Sequence, residues 1–288
     1  MKHEKNAMNC IEIINKIRGI ISLSGDKIKF NHNKCTQFHS KKHYVIKTEL
    51  LFFENSVSLR RPNEIVIKMF NDKILGYLNS WNNEIDKYLK LKSLFGKKNL
   101  PNLIYSCPAI VIYEFISGEN YFDLLMAQKL SNKSLCLLAK CYQKLNKQGL
   151  VFGDARLRNF IFSKSQSLFF VDYEEIHEGD IVRNISNLMV SFIDNNPGIF
   201  EETDNEYNLN RMIYFLLSYQ SVENRLNSYI TPNHKNYEKF TEFWVAEILN
   251  SLKIVIERRS LQINNQKMEK IRNEIKNAFN QFVTNPKY

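Results

Sequence analysis

The sequence predicts an α+β fold in which a strand-rich part precedes a mainly helical part. β-Branched and aromatic runs dominate the first 115 residues, whereas apolar residues recur at helical spacing from about residue 121. We therefore expect two domains, a strand-rich N-terminal lobe over residues 1–115 with one long helix, and a helical C-terminal lobe over residues 116–288. A short connector would join them, and ligand clefts favour such junctions.

The strands of the first part are predicted from three stretches. Residues 20–30 could form a strand or a hairpin, with a turn at Ser24-Gly25-Asp26. Residues 43–53 and 64–70 are β-branched and aromatic runs, and an Arg-Pro-Asn turn precedes the latter.

A long helix should follow these strands, and more helices should fill the second part. Apolar residues between Ile74 and Tyr88 recur at helical spacing, with Asn71-Asp72 as the expected N-cap. Two short strands around Cys107-Pro108 lead to an apolar run over 109–116. Residues 132–145 predict a helix that Gly149 would end, and we expect at least four helices between 181 and 283, the last over 262–282.

Composition indicates a folded protein that does not cross a membrane. Hydrophobic residues make up 44% of the 288 residues. No segment approaches the ~18 uninterrupted apolar residues of a transmembrane helix, and the N-terminus lacks the apolar core of a signal peptide. The five scattered cysteines form no CxxC pair, so we expect free thiols and a cytoplasmic protein, either free or peripheral at a membrane.

The net charge of +10 is concentrated in the first third. Residues 1–100 contain 19 Lys and Arg against 9 Asp and Glu, and the remainder is neutral. This excess could attract an anionic surface or a polyanion, including nucleotide phosphates. It could equally be a solvated lysine-rich face.

Residues 149–175, GLVFGDARLRNFIFSKSQSLFFVDYEE, carry the clearest chemical signal. Asp154 is followed five residues later by Asn159, and Asp172 ends an apolar run thirteen residues further on. A proton-accepting Asp and two divalent-cation ligands are what phosphoryl transfer from a nucleotide requires.

On these residues the chain resembles the protein-kinase-like superfamily on its atypical side. The nearest branches are aminoglycoside and choline phosphotransferases, lipopolysaccharide core kinases and RIO-like kinases. The resemblance covers roughly residues 40–195, and it implies a two-lobed protein-kinase-like fold that uses ATP and Mg²⁺.

The resemblance assigns roles to the catalytic loop GDARLRNF and to FFVDYEE. Asp154 would be the catalytic base, and Asn159 and Asp172 would bind magnesium. Arg156 would meet the transferring phosphate, or it and Arg158 would pair with nearby carboxylates and hold the loop. The role of Glu174 stays open, as a metal ligand or a solvated carboxylate.

The resemblance also implies a nucleotide site in the first part. Lys68, in EIVIKMF, matches the strand lysine that contacts the α- and β-phosphates, and Lys47 is a rival. Glu84 would be the ion-pair partner of Lys68, with Asp86 as the alternative.

Glu114-Phe115-Ile116 matches the connector that binds adenine through its backbone. The predicted nucleotide-binding set is therefore Lys68, Glu84, Glu114 and Ile116.

Two departures from the family pattern stand out. Phe152 precedes Gly153 where many relatives have a His, and no glycine lies between Gly25 and Gly76, so the glycine-rich phosphate loop is missing. The polar segment 36–42 is our candidate replacement.

A zinc site is a competing hypothesis for this region. Cys35, His39 and His43 recur every four residues and would share one face of a helix. The β-branched strand that follows argues against it.

We expect a phosphotransferase that moves the γ-phosphoryl group of ATP to a hydroxyl of a small molecule or glycan. The alternatives are a RIO-like protein serine/threonine kinase, for which the Lys41-Lys42 and Arg60-Arg61 pairs would bind a polyanion, and a pseudokinase that binds without turnover.

Overall fold

The protein has an antiparallel, strand-rich N-terminal part followed by a mainly helical C-terminal part, which confirms the predicted α+β class. The computed structural model describes residues 8–38, 40, 42–53, 63–96, 98–194, 205–221 and 234–284. Packing divides the chain into one unit of residues 1–117 with 172–174, and a second of residues 118–171 with 175–288. The boundary predicted at 115/116 stays a prediction, since packing does not test whether either part folds alone.

The N-terminal unit is built on a six-stranded antiparallel sheet. Its strands are β1 (Ile28–Phe30), β2 (Thr36–Phe38), β3 (Tyr44–Phe53), β4 (Asn63–Met69), β5 (Leu103–Cys107) and β6 (Ile110–Glu114). The strand order is β1-β3-β4-β6-β5, and β2 also pairs with β3. The predicted strands over 43–53 and 64–70 and the strand pair around Cys107-Pro108 are confirmed.

Helix α1 (Cys10–Leu23) corrects the expectation of a strand or hairpin beginning at residue 20. Asn9 and Glu12 form a capping box at its start, and Ile13, Ile14, Ile17 and Ile21 lie on its buried face. These isoleucines favour strands by intrinsic propensity, but their helical spacing buries them against β3, β4 and β6. Only β1 remains of the predicted hairpin.

Helix α2 (Tyr77–Phe95) packs on the sheet through Glu84, Tyr88, Leu91 and Phe95. The N-cap prediction was wrong, because the helix begins after Gly76, which has a φ of +79°. Asn71 instead accepts a hydrogen bond from the Lys73 amide, and Asp72 pairs with Lys16 of α1 at 2.7 Å. Both side chains are therefore engaged elsewhere.

The C-terminal unit contains two small sheets and six α-helices among its described residues. The strands are β7 (Gly118–Asn120), β8 (Leu150–Phe152), β9 (Phe160–Ser163), β10 (Leu168–Phe170) and β11 (Ile176–Glu178). One sheet has the order β10-β9-β7, and β8 pairs with β11. The helices are α3 (Tyr121–Met126), α4 (Asn132–Asn146), α5 (Ile181–Ile193), α6 (Asn205–Ser221), α7 (His234–Arg258) and α8 (Asn265–Thr284).

The helix predictions for this unit are confirmed. Helix α4 matches the predicted 132–145, and Gly149 follows it with a φ of +69°. Helices α5 to α8 supply the four expected after residue 181. None of the described helices has the length and apolar character that crossing a membrane requires.

The packing of α1 on the sheet can be tested with two isoleucines of that helix. Ile17 is fully buried and Ile11 is 57% exposed. We expect Ile17→Ala to lower the free energy of unfolding by about 2–4 kcal/mol, because it opens a cavity in the core. Ile11→Ala should change it by less than about 0.5 kcal/mol in the same urea titration. Equal effects would contradict the assigned helix face.

Candidate functional site

Lys68 is surrounded by three acidic side chains in the N-terminal unit. Alternation along β4 turns Ile65, Ile67 and Met69 toward α1, so Lys68 points to the opposite face of the sheet. Its ammonium nitrogen lies 3.0 Å from Glu84 Oε2, 2.9 Å from Asp172 Oδ1 and 3.5 Å from Glu174 Oε2. We call these four residues the Lys68 cluster.

Glu84 is the most deeply buried acid of the Lys68 cluster. It lies on α2 and is 1% exposed. Its second oxygen, Oε1, accepts a hydrogen bond from the Tyr113 hydroxyl at 3.1 Å. Burial raises the pKa of Glu84 above its ordinary value, against the opposing charge of Lys68. A carboxylate this deep therefore depends on Lys68 and Tyr113 to remain ionised.

The ammonium of Lys68 stays charged in this environment. Burial would lower the pKa of Lys68, but the charges of Glu84, Asp172 and Glu174 outweigh burial and raise that pKa well above its ordinary value. Removal of this buried cation would leave three carboxylates close together, so it would strongly destabilise the folded protein.

The segment Asp172-Tyr173-Glu174 supplies two of the three carboxylates. Tyr173 is buried, and its ring packs 5.8 Å from Tyr88 and 5.9 Å from Tyr113, measured between ring centroids. Since Tyr173 anchors the segment, its neighbours on both sides can reach Lys68. Asp172 has a φ of +66°, a left-handed conformation that few residues other than glycine adopt.

Asp172 and Glu174 differ in the solvent exposure of their side chains. The Asp172 side chain is 45% exposed, whereas that of Glu174 is 10% exposed. Glu174 also lies 3.2 Å from Lys42 and 3.3 Å from Nε2 of His43. Burial opposes ionisation of Glu174, but the His43 hydrogen bond and the charge of Lys68 lower its pKa to about 2.

The rivals considered for the nucleotide-binding lysine and its partner lie elsewhere in the N-terminal unit. Lys47 pairs with Glu64 at 2.5 Å and lies 3.8 Å from the centroid of the Phe115 ring. Asp86 is exposed on α2, whereas Glu84 faces Lys68. The structure therefore brings Lys68 together with Glu84, and their role in binding phosphates stays a prediction.

The predicted adenine connector follows β6. The Phe115 amide donates to the carbonyl of Glu64, and the Glu114 side chain accepts from Asn102. The Ile116 amide donates to no acceptor among the described residues. The role of Glu114 and Ile116 in binding adenine stays a prediction.

The segment proposed to replace the glycine-rich loop is partly a strand. Residues 36–38 form β2, which pairs with β3, and His39 and Lys41 lie outside the described residues. Cys35 precedes β2 in an extended conformation. The zinc hypothesis, which required Cys35, His39 and His43 to share one face of a helix, is therefore wrong.

Asp154, Arg156 and Asn159 belong to the C-terminal unit, in the loop between β8 and β9. Nδ2 of Asn159 donates to the backbone carbonyl of Asp154 at 2.9 Å and lies 3.4 Å from its Oδ2. This orientation leaves Oδ1 of Asn159 as the oxygen that could bind a cation.

The two arginines of the loop hold it in shape. Nε of Arg156 lies 2.7 Å from Asp154 Oδ1, and the Arg158 guanidinium lies 4.2 Å from the centroid of Phe122. Arg156 thus makes the carboxylate pair that the sequence left as one alternative. A contact of Arg156 with phosphate stays a prediction.

Two polar residues of α5 support the same loop, and no sequence pattern pointed to either of them. Asn184 bonds both the amide and the carbonyl of Phe152, and the Ser191 hydroxyl accepts from the Leu157 amide at 3.3 Å. Gly153 is needed here, because a Cβ on it would lie 2.5 Å from the Glu175 carbonyl oxygen.

Lys42, His43 and Tyr113 were missed as members of the site in the N-terminal unit. The alternating pattern of β6 could have placed Tyr113 on the face of Lys68, since Val111 pairs with Lys68 and Tyr113 with Val66. The contacts of Lys42 and His43 with Glu174 join residues more than 130 positions apart, which no local pattern reveals.

Comparison with known proteins adds no further assignment: no family model matches the chain, and no curated protein is significantly similar to it. The resemblance to protein-kinase-like enzymes therefore depends on the residues described above. Asp154 and Asn159 lie in one unit and Asp172 in the other. Their predicted convergence stays a prediction.

The low pKa of Glu174 predicts how the N-terminal unit responds to acid. A carboxyl group whose pKa falls from 4.5 unfolded to about 2 folded stabilises the protein above pH 4.5, and this contribution disappears as the pH falls toward 2. The wild-type protein should have a higher free energy of unfolding than Glu174→Gln at pH 6, and this difference should decrease by about 2 kcal/mol between pH 6 and pH 3.

The two tryptophans allow this to be measured for one unit. Trp81 lies in the N-terminal unit and Trp244 in the C-terminal unit. In a Trp244→Phe background, urea unfolding followed by Trp81 fluorescence reports on the unit that contains Glu174. A difference that stays constant with pH would show that Glu174 does not titrate as described.

Proposed function

We propose that the protein is an ATP-dependent phosphotransferase with a protein-kinase-like fold, acting on a hydroxyl of a small molecule or glycan. The N-terminal unit would correspond to the N-lobe of that fold and the C-terminal unit to its C-lobe. The observation that carries this proposal is the buried Lys68–Glu84 pair at 3.0 Å, with Asp172 held against the same ammonium.

The three carboxylates around Lys68 include one, that of Asp172, that could also bind Mg²⁺. Among the described residues, one group of three acids has ligand atoms within 4.8 Å of one another, and it consists of Glu84, Asp172 and Glu174. Carboxylate oxygens are the ligands that Mg²⁺ prefers. Asp172, which is the most exposed of the three, would hold the ion with Oδ1 of Asn159, and bound Mg²⁺ would neutralise charge on the nucleotide phosphates.

The remaining residues would bind and orient the reactants. Lys68 would contact the α- and β-phosphates while Glu84 keeps its ammonium in place. The Ile116 amide and the Glu114 carbonyl would bind the adenine edge.

Asp154 would act as the catalytic base in the proposed reaction. The Asp154 carboxylate, whose Oδ1 lies 2.7 Å from Nε of Arg156 and whose Oδ2 lies 3.4 Å from Nδ2 of Asn159, would accept the proton of the acceptor hydroxyl. Arg156 would then lie beside the transferring phosphate, where its positive charge would stabilise the negative charge that develops on the phosphoryl oxygens.

The structure offers no specific support for the RIO-like alternative. Lys41, Arg60 and Arg61 lie outside the described residues, and Lys42 pairs with Glu174. A polyanion or anionic surface bound by the basic first third stays a prediction, as does a cytoplasmic or peripheral membrane location.

Phosphate release from ATP in the presence of Mg²⁺ tests the proposal. Asp154→Ala should lower the rate at least about 100-fold, because a positioned general base contributes roughly that much or more. Glu269→Ala is the control, since it removes an exposed carboxylate of α8 in the same unit, whose pair with Arg272 is a surface ion pair. Its rate should stay within about twofold of wild type.

The outcomes separate the candidate functions. Binding of MgATP without turnover in the wild-type protein would identify a pseudokinase. Absence of nucleotide binding, or equal rates for wild type and Asp154→Ala, would overturn the proposed mechanism. If turnover is found, a screen of sugars, lipids and proteins as acceptors identifies the substrate class.

A further inference from the structure

Three residues of the N-terminal unit join the segment before β3 to the Asp172-Tyr173-Glu174 segment. Lys42 Nζ lies 3.2 Å from Glu174 Oε1, and His43 Nε2 lies 3.3 Å from Glu174 Oε2. We call Lys42, His43 and Glu174 the Glu174 clamp. The clamp uses both carboxylate oxygens of Glu174, and Lys68 also approaches Oε2.

His43 is fixed in a way that suits an anchor. Its side chain is 3% exposed and its ring packs 4.5 Å from that of Phe70, centroid to centroid. Since a carboxylate only accepts hydrogen bonds, Nε2 carries the proton, and Nδ1 is buried without a partner among the described residues. A buried imidazole with one unsatisfied nitrogen lowers the stability of the fold. A role for His43 in holding Glu174 would explain why a histidine is present at this position.

The strand register places the clamp beside Lys68. Tyr44 pairs with Met69 and Val45 with Lys68, so His43 immediately precedes the part of β3 that flanks the lysine. The clamp therefore fixes Glu174 to the sheet that presents Lys68. Asp172, two residues earlier, keeps the more exposed carboxylate and a left-handed backbone.

We propose that His43 and Lys42 are positioning residues that hold Glu174 as an anchor, so that Asp172 presents its carboxylate to the catalytic metal. This inference rests on the proposed function and assigns Glu174 to a role other than metal ligand or solvated acid. Tyr173 fixes the segment from one side, and the clamp fixes it from the other.

Two substitutions of His43 separate hydrogen bonding from packing. His43→Gln keeps a donor that can reach Glu174 but packs less well against Phe70. His43→Phe keeps a ring against Phe70 but removes the donor. If the clamp positions Asp172, His43→Phe should weaken metal binding about tenfold or more, as loss of a group that orients a metal ligand commonly does, while His43→Gln stays within about threefold.

The probe is Mn²⁺ titrated into the ADP-saturated protein, with free Mn²⁺ measured by electron paramagnetic resonance. The apparent KM for Mg²⁺ in ATP turnover should rise in His43→Phe more than kcat falls. Lys34→Ala is the matched control, because it removes a 2.6 Å ion pair with Glu49 on β3 of the same sheet, away from the clamp. Mn²⁺ affinity in that variant should equal that of wild type.

A cycle with Lys42→Ala and Glu174→Gln tests the inference even if His43→Phe does not fold. Glu174→Gln should weaken Mn²⁺ binding, and adding Lys42→Ala should then have no further effect, because Lys42 acts through Glu174. Additive losses, unchanged affinity in Glu174→Gln, or a larger loss in His43→Gln than in His43→Phe would overturn the inference.

The inference and the proposed function fail in different ways. If the wild-type protein binds Mn²⁺ and Asp172→Asn abolishes binding, the metal site stands, and unchanged affinity in the clamp variants removes the clamp alone. If wild type binds no Mn²⁺ with ADP, the proposed function itself is overturned.

Discussion

The N-terminal unit depends on one buried cation shared by three carboxylates. Lys68 reaches Glu84 from the sheet to α2, and it reaches Asp172 and Glu174 in a segment more than 100 positions later in the chain. Without this ammonium, two largely buried acids and a third partly exposed one would repel each other and lose the cation that all three share. The same charge thus fixes α2, the sheet and the Asp172 segment to one another.

The aromatic residues around the cluster make this arrangement specific. Tyr88, Tyr113 and Tyr173 pack against each other, and the Tyr113 hydroxyl also bonds Glu84. The Asp172 side chain remains 45% exposed. An electrostatic network with a single exposed carboxylate is well suited to receive a metal ion, which is the physical basis of the phosphotransferase proposal.

Local patterns predicted much of the fold, and long-range contacts decided the rest. The strands β3 and β4, the hairpin of β5 and β6, and helix α4 followed from apolar patterning and turn residues. The last turn of α1 was mistaken for a strand because Ile20 and Ile21 favour strands by propensity, although Asn9 and Glu12 form a capping box at the start of the helix. The start of α2 was misplaced because the helix begins after Gly76, whose left-handed backbone the residue letters around Asn71 and Asp72 do not reveal.

The candidate site divides in the same way. The family pattern pointed to Lys68, Glu84 and Asp172, and the structure brings these three together. The sequence pattern could not reveal His43 and Lys42 beside Glu174, or Asn184 and Ser191 beside the catalytic loop. These contacts join residues that are distant in the sequence and meet only in the folded protein. The left-handed backbone of Asp172 likewise has no signature in the residue letters around it.

A crystal structure of the protein with Mg²⁺ and a non-hydrolysable ATP analogue would show whether the assigned residues share one metal ion. We expect a magnesium ion about 2.1 Å from an oxygen of Asp172 and from Oδ1 of Asn159, with the Asp154 carboxylate facing the γ-phosphate. A nucleotide bound elsewhere, or positions 154 and 172 facing separate surfaces with no shared ion, would contradict it.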